Sequence, residues 1–218
     1  RYLRARIALE QRDPEKAKAE LQEILAADKA FAPAQRLLGA IYTLENQFDL
    51  AEMFLRPVVV ANPDDLFARR LLATVLLARN RPAEALPLLE NVAAPDEETR
   101  ELLLGMRGQA SLQVGDVAKA ISIFREGSKA YPDNPLFELG LGLTMLAEGR
   151  TDEASELLRQ VRGNQADATR AAFLTIVYMQ KGQAREAMES ARAVVAKFPD
   201  QAWSHNLLGS VLMATGQF

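Results

Sequence analysis

The chain has 218 residues, of which 49% are hydrophobic and 25% charged, and it contains no cysteine. This composition is ordinary for a folded soluble protein, and the absence of cysteine excludes disulfides, thiolate metal sites and thiol catalysis. The net charge of −3, with both signs interspersed, provides no driving force towards nucleic acid or an anionic membrane.

An alanine recurs along the chain, each time five positions after a residue that suits a tight turn. Along the sequence the turn positions hold Arg12, Asn46, Asn80, Gly115, Gly149 and Gly182. Successive alanines are 33 to 35 residues apart, which predicts a repeated pair of helices joined by a turn. The repeated alanines are Ala17, Ala51, Ala85, Ala120, Ala154 and Ala187.

Two further positions keep the same phase and indicate how the helices of each pair pack. A small residue stands twelve positions before each alanine, where only a small side chain lets the two helix backbones approach. A bulky apolar residue stands four positions after it in five of the six copies, on the same helix face. The small residues are Ala5, Gly39, Ala73, Gly108, Gly142 and Thr175, and the bulky ones are Leu21, Leu55, Leu89, Phe124 and Leu158.

This period resembles the tetratricopeptide repeat (TPR) family, as do the segments "LLGAIY" (Leu37–Tyr42) and "LLGSVL" (Leu207–Leu212). The resemblance covers essentially the whole chain. It implies an all-α fold, a right-handed superhelical solenoid of antiparallel helix pairs with six repeats and the first helix of a seventh. The predicted repeats, within one solenoid domain, are residues 1–31, 32–65, 66–100, 101–134, 135–167, 168–201 and, in part, 202–218.

Two joints and the two ends of the chain depart from the regular pattern. The joint at residues 93–100 has one extra residue, and that at 163–170 is one residue short, so we expect local changes in twist there. The chain has no initiating methionine and stops within its seventh repeat, so we expect the native chain to continue. The last helix would leave an apolar face exposed, which predicts self-association through that helix.

In the TPR family the first helix of each repeat lines a concave groove, and the resemblance places fourteen residues of this chain there. The groove is predicted to be basic towards the first repeats and apolar towards the last. The apolar side chains would fit packing between helices equally well, and the arginines would fit a solvated surface. The predicted groove residues are Arg6, Arg36, Phe67, Arg70, Gln109, Gln113, Leu139, Leu143, Ile176, Met179, Trp203, Asn206, Ser210 and Met213.

These features predict a non-enzymatic scaffold that binds an extended peptide or a partner helix in the groove. No catalytic residue, cofactor or metal site is predicted, because His205 is the single histidine and the chain has no cysteine. The alternatives are an RNA-binding helical-repeat protein, which the acidic balance and the apolar groove disfavour, and a spacer without a ligand.

A narrower similarity concerns "ARRLLATVLLARNRPAEALPLLE" (Ala68–Glu90) and "LLGSVLMATGQF". These segments look like the bacterial TPR lipoproteins of the PEP-CTERM/exosortase system, which accompany exopolysaccharide production and the sorting of surface proteins. The resemblance implies a location outside the cytoplasm, with a tether on an N-terminal lipidated cysteine absent from this sequence. We expect a protein or peptide partner, no nucleic acid, and no membrane insertion by these residues.

Overall fold

The computed structural model describes residues 1–160 and 166–216, and in those residues it contains thirteen α-helices and no strand. This confirms the predicted all-α fold built of helix pairs. No helix in the described ranges is long and apolar enough to cross a membrane. The helices are α1 Tyr2–Glu10, α2 Pro14–Ala27, α3 Ala32–Leu44, α4 Phe48–Ala61, α5 Leu66–Ala78, α6 Pro82–Leu89, α7 Glu97–Gln113, α8 Val117–Ala130, α9 Pro135–Ala147, α10 Thr151–Gln160, α11 Ala166–Gln180, α12 Ala184–Lys197 and α13 Ala202–Thr215.

The chain divides into two compact units, Arg1–Val114 and a second unit that begins at Gly115. The first contains the pairs α1/α2, α3/α4 and α5/α6, followed by α7. The second contains α8, the pairs α9/α10 and α11/α12, and then α13. The division falls inside the predicted fourth repeat, between α7 and α8, and not at either irregular joint. A single solenoid through all 218 residues therefore stays a prediction.

The turn inside each helix pair has the backbone conformation that the repeat pattern requires. Arg12, Asn46 and Asn80 have φ angles of 60°, 57° and 56°, and Gly115, Gly149 and Gly182 lie in the same left-handed region. Glycine has no Cβ to clash there and asparagine tolerates the conformation better than most residues. The turn positions read from the sequence are thus confirmed.

The helices of a pair cross where the sequence places small residues. Within the first unit Ala17, Ala51 and Ala85 are fully buried. A Cβ added to Gly39 on α3 would lie 2.4 Å from Cγ of Leu55 on α4. Because that distance is far below van der Waals contact, the close approach of α3 and α4 depends on glycine at this position.

The second unit repeats this packing and varies it. Ala154 and Ala187 are fully buried, and a Cβ on Gly142 of α9 would lie 2.7 Å from Leu158 of α10. Between α8 and α9, the ring of Phe124 fills the space beside Gly140. Small and large residues therefore alternate across the facing helices, which keeps the layer between them filled.

Ion pairs join each repeat of the first unit to the next. At equivalent positions, one pair has a cation where the following pair has an anion. Lys18 on α2 donates to the Glu45 carboxylate, at the end of α3, at 2.9 Å. Hydrogen bonds from Lys18 to Glu15 and Glu45 hold the pKa of this lysine above its ordinary value. Glu52 on α4 occupies the position equivalent to Lys18 and accepts from Arg79, at the end of α5, at 2.7 Å.

The helix that precedes the irregular joint at residues 93–100 is short. α6 has eight residues, whereas α2 and α4 have fourteen each. The guanidinium of Arg69 on α5 donates to the carbonyl oxygens of Pro87, Leu88 and Glu90 at 3.2, 2.9 and 2.9 Å. Arg69 therefore satisfies the free carbonyls at the end of α6 and accommodates the extra residue. Residues 163–165 of the second joint lie outside the described residues.

We expect Gly39→Val to lower the free energy of unfolding by about 1–3 kcal/mol, because the new side chain would overlap Leu55. Gly209→Val is the matched control: Gly209 holds the same repeat position in α13, and a Cβ there would meet nothing within 4 Å. Urea unfolding followed by circular dichroism would measure both variants. Equal losses of stability would contradict the assigned repeat phase.

We also expect the stability of the first unit to depend on pH through Glu52. Burial raises the pKa of Glu52, but hydrogen bonds from Arg56 and Arg81 outweigh burial and hold the pKa below its ordinary value of 4.5. A carboxylate with a lowered pKa stabilises the fold above that ordinary value, and this contribution disappears as the pH falls through the folded pKa. Glu52→Gln should therefore flatten the loss of stability between about pH 6 and about pH 3.

The measurement is urea unfolding at both pH values, with Glu10→Gln as the control. Glu10 is exposed at the end of α1, and no ion pair involves it in the described part of the chain. A pH dependence of Glu52→Gln parallel to that of the unmodified protein would remove Glu52 from this role.

Candidate partner-binding surface

The predicted groove residues of the first unit are organised around Asp65, which precedes α5. One carboxylate oxygen of Asp65 accepts from the backbone N–H of Ala68 at 3.0 Å and so caps the helix. The other accepts from the Arg36 guanidinium on α3 at 3.1 Å. The Asp65 side chain is only 11% exposed. The cap that starts α5 therefore also fixes the position of Arg36.

The two arginines predicted on α3 and α5 both lie beside the ring of Phe67. The Cζ atoms of Arg36 and Arg70 are 5.6 and 5.7 Å from the ring centroid, within the range of a cation–π interaction. Phe67 is 40% exposed although it belongs to a helix that is largely buried. We call Arg36, Phe67 and Arg70 the Arg–Phe–Arg cluster.

The cluster leaves one guanidinium available for a partner. Arg36 is paired with Asp65, but Arg70 has no ion pair among residues 1–160 and 166–216. Arg6 on α1 is exposed and likewise has none in those ranges. Gln109 and Gln113 on α7 are exposed. Guanidinium groups in such positions can form paired hydrogen bonds to a carboxylate, and an exposed ring beside them can contact an apolar side chain.

The structure corrects one of the apolar groove residues in the second unit. Leu139 is 2% exposed and belongs to a core with Leu146, Ala154, Leu158 and Val177, so it packs between helices and is not accessible to a partner. Leu143 is half-buried against the same core.

Two more apolar groove residues of the second unit, Ile176 and Met179, are half-buried. Met179 packs against the buried residues of α12 and α13. Packing between helices therefore accounts for much of the apolar character that the sequence places in this part of the groove.

The remaining predicted residues lie on α13 and are exposed. Trp203 is 39% exposed, with its ring centroid 5.5 Å from that of Phe198, and Met213 is 65% exposed. Asn206 and Ser210 are exposed one turn apart, and the Ser210 hydroxyl donates to the Asn206 carbonyl at 2.9 Å. These four side chains form a mixed surface that belongs to α13 alone.

The single histidine and the acidic side chains are the remaining groups that could bind a metal ion. His205 is exposed, and its Nε2 lies 2.7 Å from the carbonyl oxygen of Pro199, which gives the ring a structural partner. No group of three histidine, cysteine or acidic side chains that could hold a metal ion occurs in the described parts of the chain.

Sequence reasoning missed a second open surface, on the outer side of α4. A groove of about 620 Å³ lies there between the apolar residues Met53, Pro57 and Val60 and the arginines Arg79 and Arg81. Both arginines are paired with Glu52. The signal in the sequence is the spacing of the three apolar residues along one face of α4, which the inner-groove positions did not include.

Comparisons with known proteins agree with this architecture. Family models described as tetratricopeptide repeat match residues 2–65, 70–135 and 111–175. In its fold the chain resembles PilW, described as a widely conserved type IV pilus biogenesis factor, with a TM-score of 0.73 and 21% identity. That match covers 97% of this chain and 96% of PilW.

Two curated relatives are similar in sequence. The chain is 28% identical over 183 residues to cellulose synthase operon protein C of Pseudomonas fluorescens (strain SBW25), covering 78% of this chain and 14% of the relative. It is 27% identical over 154 residues to cellulose synthase 1 operon protein C of Komagataeibacter xylinus, covering 70% of this chain and 12% of that relative. The chain thus spans about one seventh of these relatives or less. From the match of the family models over more than half of its length, together with its helix pairs, the chain belongs to the tetratricopeptide repeat family.

Proposed function

We propose that this chain is a non-enzymatic scaffold that binds an extended peptide or a partner helix on the face formed by the first helices α1, α3 and α5 of its first unit. Proteins of this family present stacked helix pairs to a protein partner, and that general role applies here. The observation that carries the specific proposal is the Arg–Phe–Arg cluster, an exposed aromatic ring held between two guanidinium groups on α3 and α5.

The composition of the cluster supports a binding role over a purely structural one. Aromatic residues and arginine are the residue types that most often contribute strongly to protein interfaces. Phe67 could be buried by a partner at small entropic cost, because its ring is already positioned by Arg36 and Arg70. A solvated surface would not require an exposed phenylalanine.

We further propose that the partner belongs to bacterial exopolysaccharide or surface-protein export. The relatives named for a cellulose synthase operon support this proposal, since cellulose is an exopolysaccharide. The similarity of Ala68–Glu90 to TPR lipoproteins of the PEP-CTERM/exosortase system supports the same general class and a location outside the cytoplasm.

The test is capture of partners from cells that express the protein, with quantification by mass spectrometry. We expect the unmodified protein to retain specific partners and the double variant Phe67→Ala/Arg70→Glu to lose at least one, because the variant removes the ring and reverses a charge. Arg185→Glu is the matched control, since Arg185 is highly exposed on α12, outside the first helices. Thermal unfolding of all three proteins would confirm that they are folded.

Partners lost by the double variant and kept by Arg185→Glu would support binding at the first-helix face. Partners kept by the double variant would contradict that location and would favour binding at the groove beside Met53, Pro57 and Val60 of α4. Failure of the unmodified protein to capture any specific partner would contradict a scaffold function for this part of the chain.

A further inference from the structure

We infer that the Arg–Phe–Arg cluster recognises an acidic peptide segment, with an aspartate or glutamate side chain on Arg70 and a neighbouring apolar side chain on Phe67. This inference rests on the proposed function and deepens it, because it assigns the chemistry of the partner. It concerns the first unit alone.

The distribution of charge in this unit indicates an anionic partner. α3 and α5 contain three arginines, Arg36, Arg69 and Arg70, and no acidic residue, whereas the second helices α2, α4 and α6 contain six acidic residues. α3 and α5 are therefore positively charged although the whole chain has a net charge of −3. Such a local excess attracts a segment of opposite charge and disfavours a basic one.

The acidic group of the cluster, Asp65, is already occupied by other partners. Asp65 is 11% exposed, and its two carboxylate oxygens are used by the backbone N–H of Ala68 and by the guanidinium of Arg36. Arg69, the neighbour of Arg70, is directed to the backbone carbonyls at the end of α6. Arg70 therefore presents an uncompensated guanidinium, and a carboxylate is the group that matches its planar donors best.

The arrangement favours a peptide over a nucleic acid. Sequence-tolerant binding of single strands needs a longer run of cations and several stacking rings, whereas α3 and α5 offer one such ring. An acidic segment with an apolar side chain uses both the ring and Arg70.

The arrangement also favours side-chain carboxylates over a chain terminus. Unpaired arginines lie on two different helices, Arg6 on α1 and Arg70 on α5. A single terminal carboxylate could satisfy one of them, whereas an extended segment with several acidic residues could satisfy both.

The experiment measures fluorescence anisotropy of a short synthetic peptide of glutamate, leucine and glycine, blocked by acetylation and amidation at its ends. A second peptide has glutamine in place of every glutamate. We expect the unmodified protein to bind the glutamate peptide at least about tenfold more tightly than the glutamine peptide, with an affinity that falls as salt is added.

Three variants locate the binding. Arg70→Gln should weaken binding of the glutamate peptide about tenfold, and Arg70→Lys should weaken it less, because lysine keeps the charge but not the paired donors. Phe67→Leu should weaken it without altering the preference for glutamate over glutamine. Arg185→Gln is the control and should bind as the unmodified protein does; circular dichroism confirms folding of each.

Equal affinity for the two peptides, or no effect of Arg70→Gln, would overturn the inference. Tighter binding of a single-stranded oligouridylate than of the glutamate peptide would overturn it in favour of a nucleic-acid partner. If the acidic peptide does not bind but Phe67→Ala/Arg70→Glu still loses its cellular partners, the inference fails and the proposed scaffold stands. If those partners are kept, the proposed function itself fails.

Discussion

The close approach of two helix backbones at each crossing is the constraint on which the rest of this structure depends. At the crossing of α3 and α4, Gly39 faces Leu55 with no room for a Cβ, and the neighbouring Ala51 is fully buried. Because the pair is held at this distance, bulky residues four positions along the second helix fill the layer between helices. The repeat period follows from this requirement, since each new pair must present the same small residues at the same place.

This packing leaves Arg36 on α3 and Phe67 on α5 partly exposed, and the local signals that start and end helices position functional groups beside them. Asp65 illustrates the connection. It is needed to cap α5, yet its second oxygen holds Arg36 of the preceding repeat next to Phe67. A single carboxylate thus links helix initiation, the joint between two repeats and the candidate binding surface. These contacts hold Arg36 beside the ring before a partner binds, which lowers the entropic cost of binding.

In the first unit, α3 and α5 differ in charge from the second helices. Glu52 on α4 forms an ion pair with Arg79 at the end of α5, and in the preceding repeat the signs are exchanged, so that Lys18 on α2 pairs with Glu45 at the end of α3. The first helices α3 and α5 have only arginine. Glu45 and Glu52 are thus neutralised by ion pairs, whereas Arg70 on α5 has no ion pair in the described ranges, which leaves positive charge beside Phe67. An overall charge of −3 conceals this division.

The sequence by itself determined the helix pairs, their turns and the residues at their crossings, because these follow from local rules: left-handed residues such as Asn46 and Gly149 end a helix, and small residues recur in phase. It also selected Arg36, Phe67 and Arg70 by repeat position. Only the tertiary structure decided which selected residues are accessible. Leu139 and Arg70 occupy equivalent repeat positions, yet Leu139 is buried in a core while Arg70 lies beside an exposed ring. The short length of α6 and its capping by Arg69 could not be predicted from the sequence either. Burial and hydrogen bonding depend on neighbouring helices, which a repeat position does not specify.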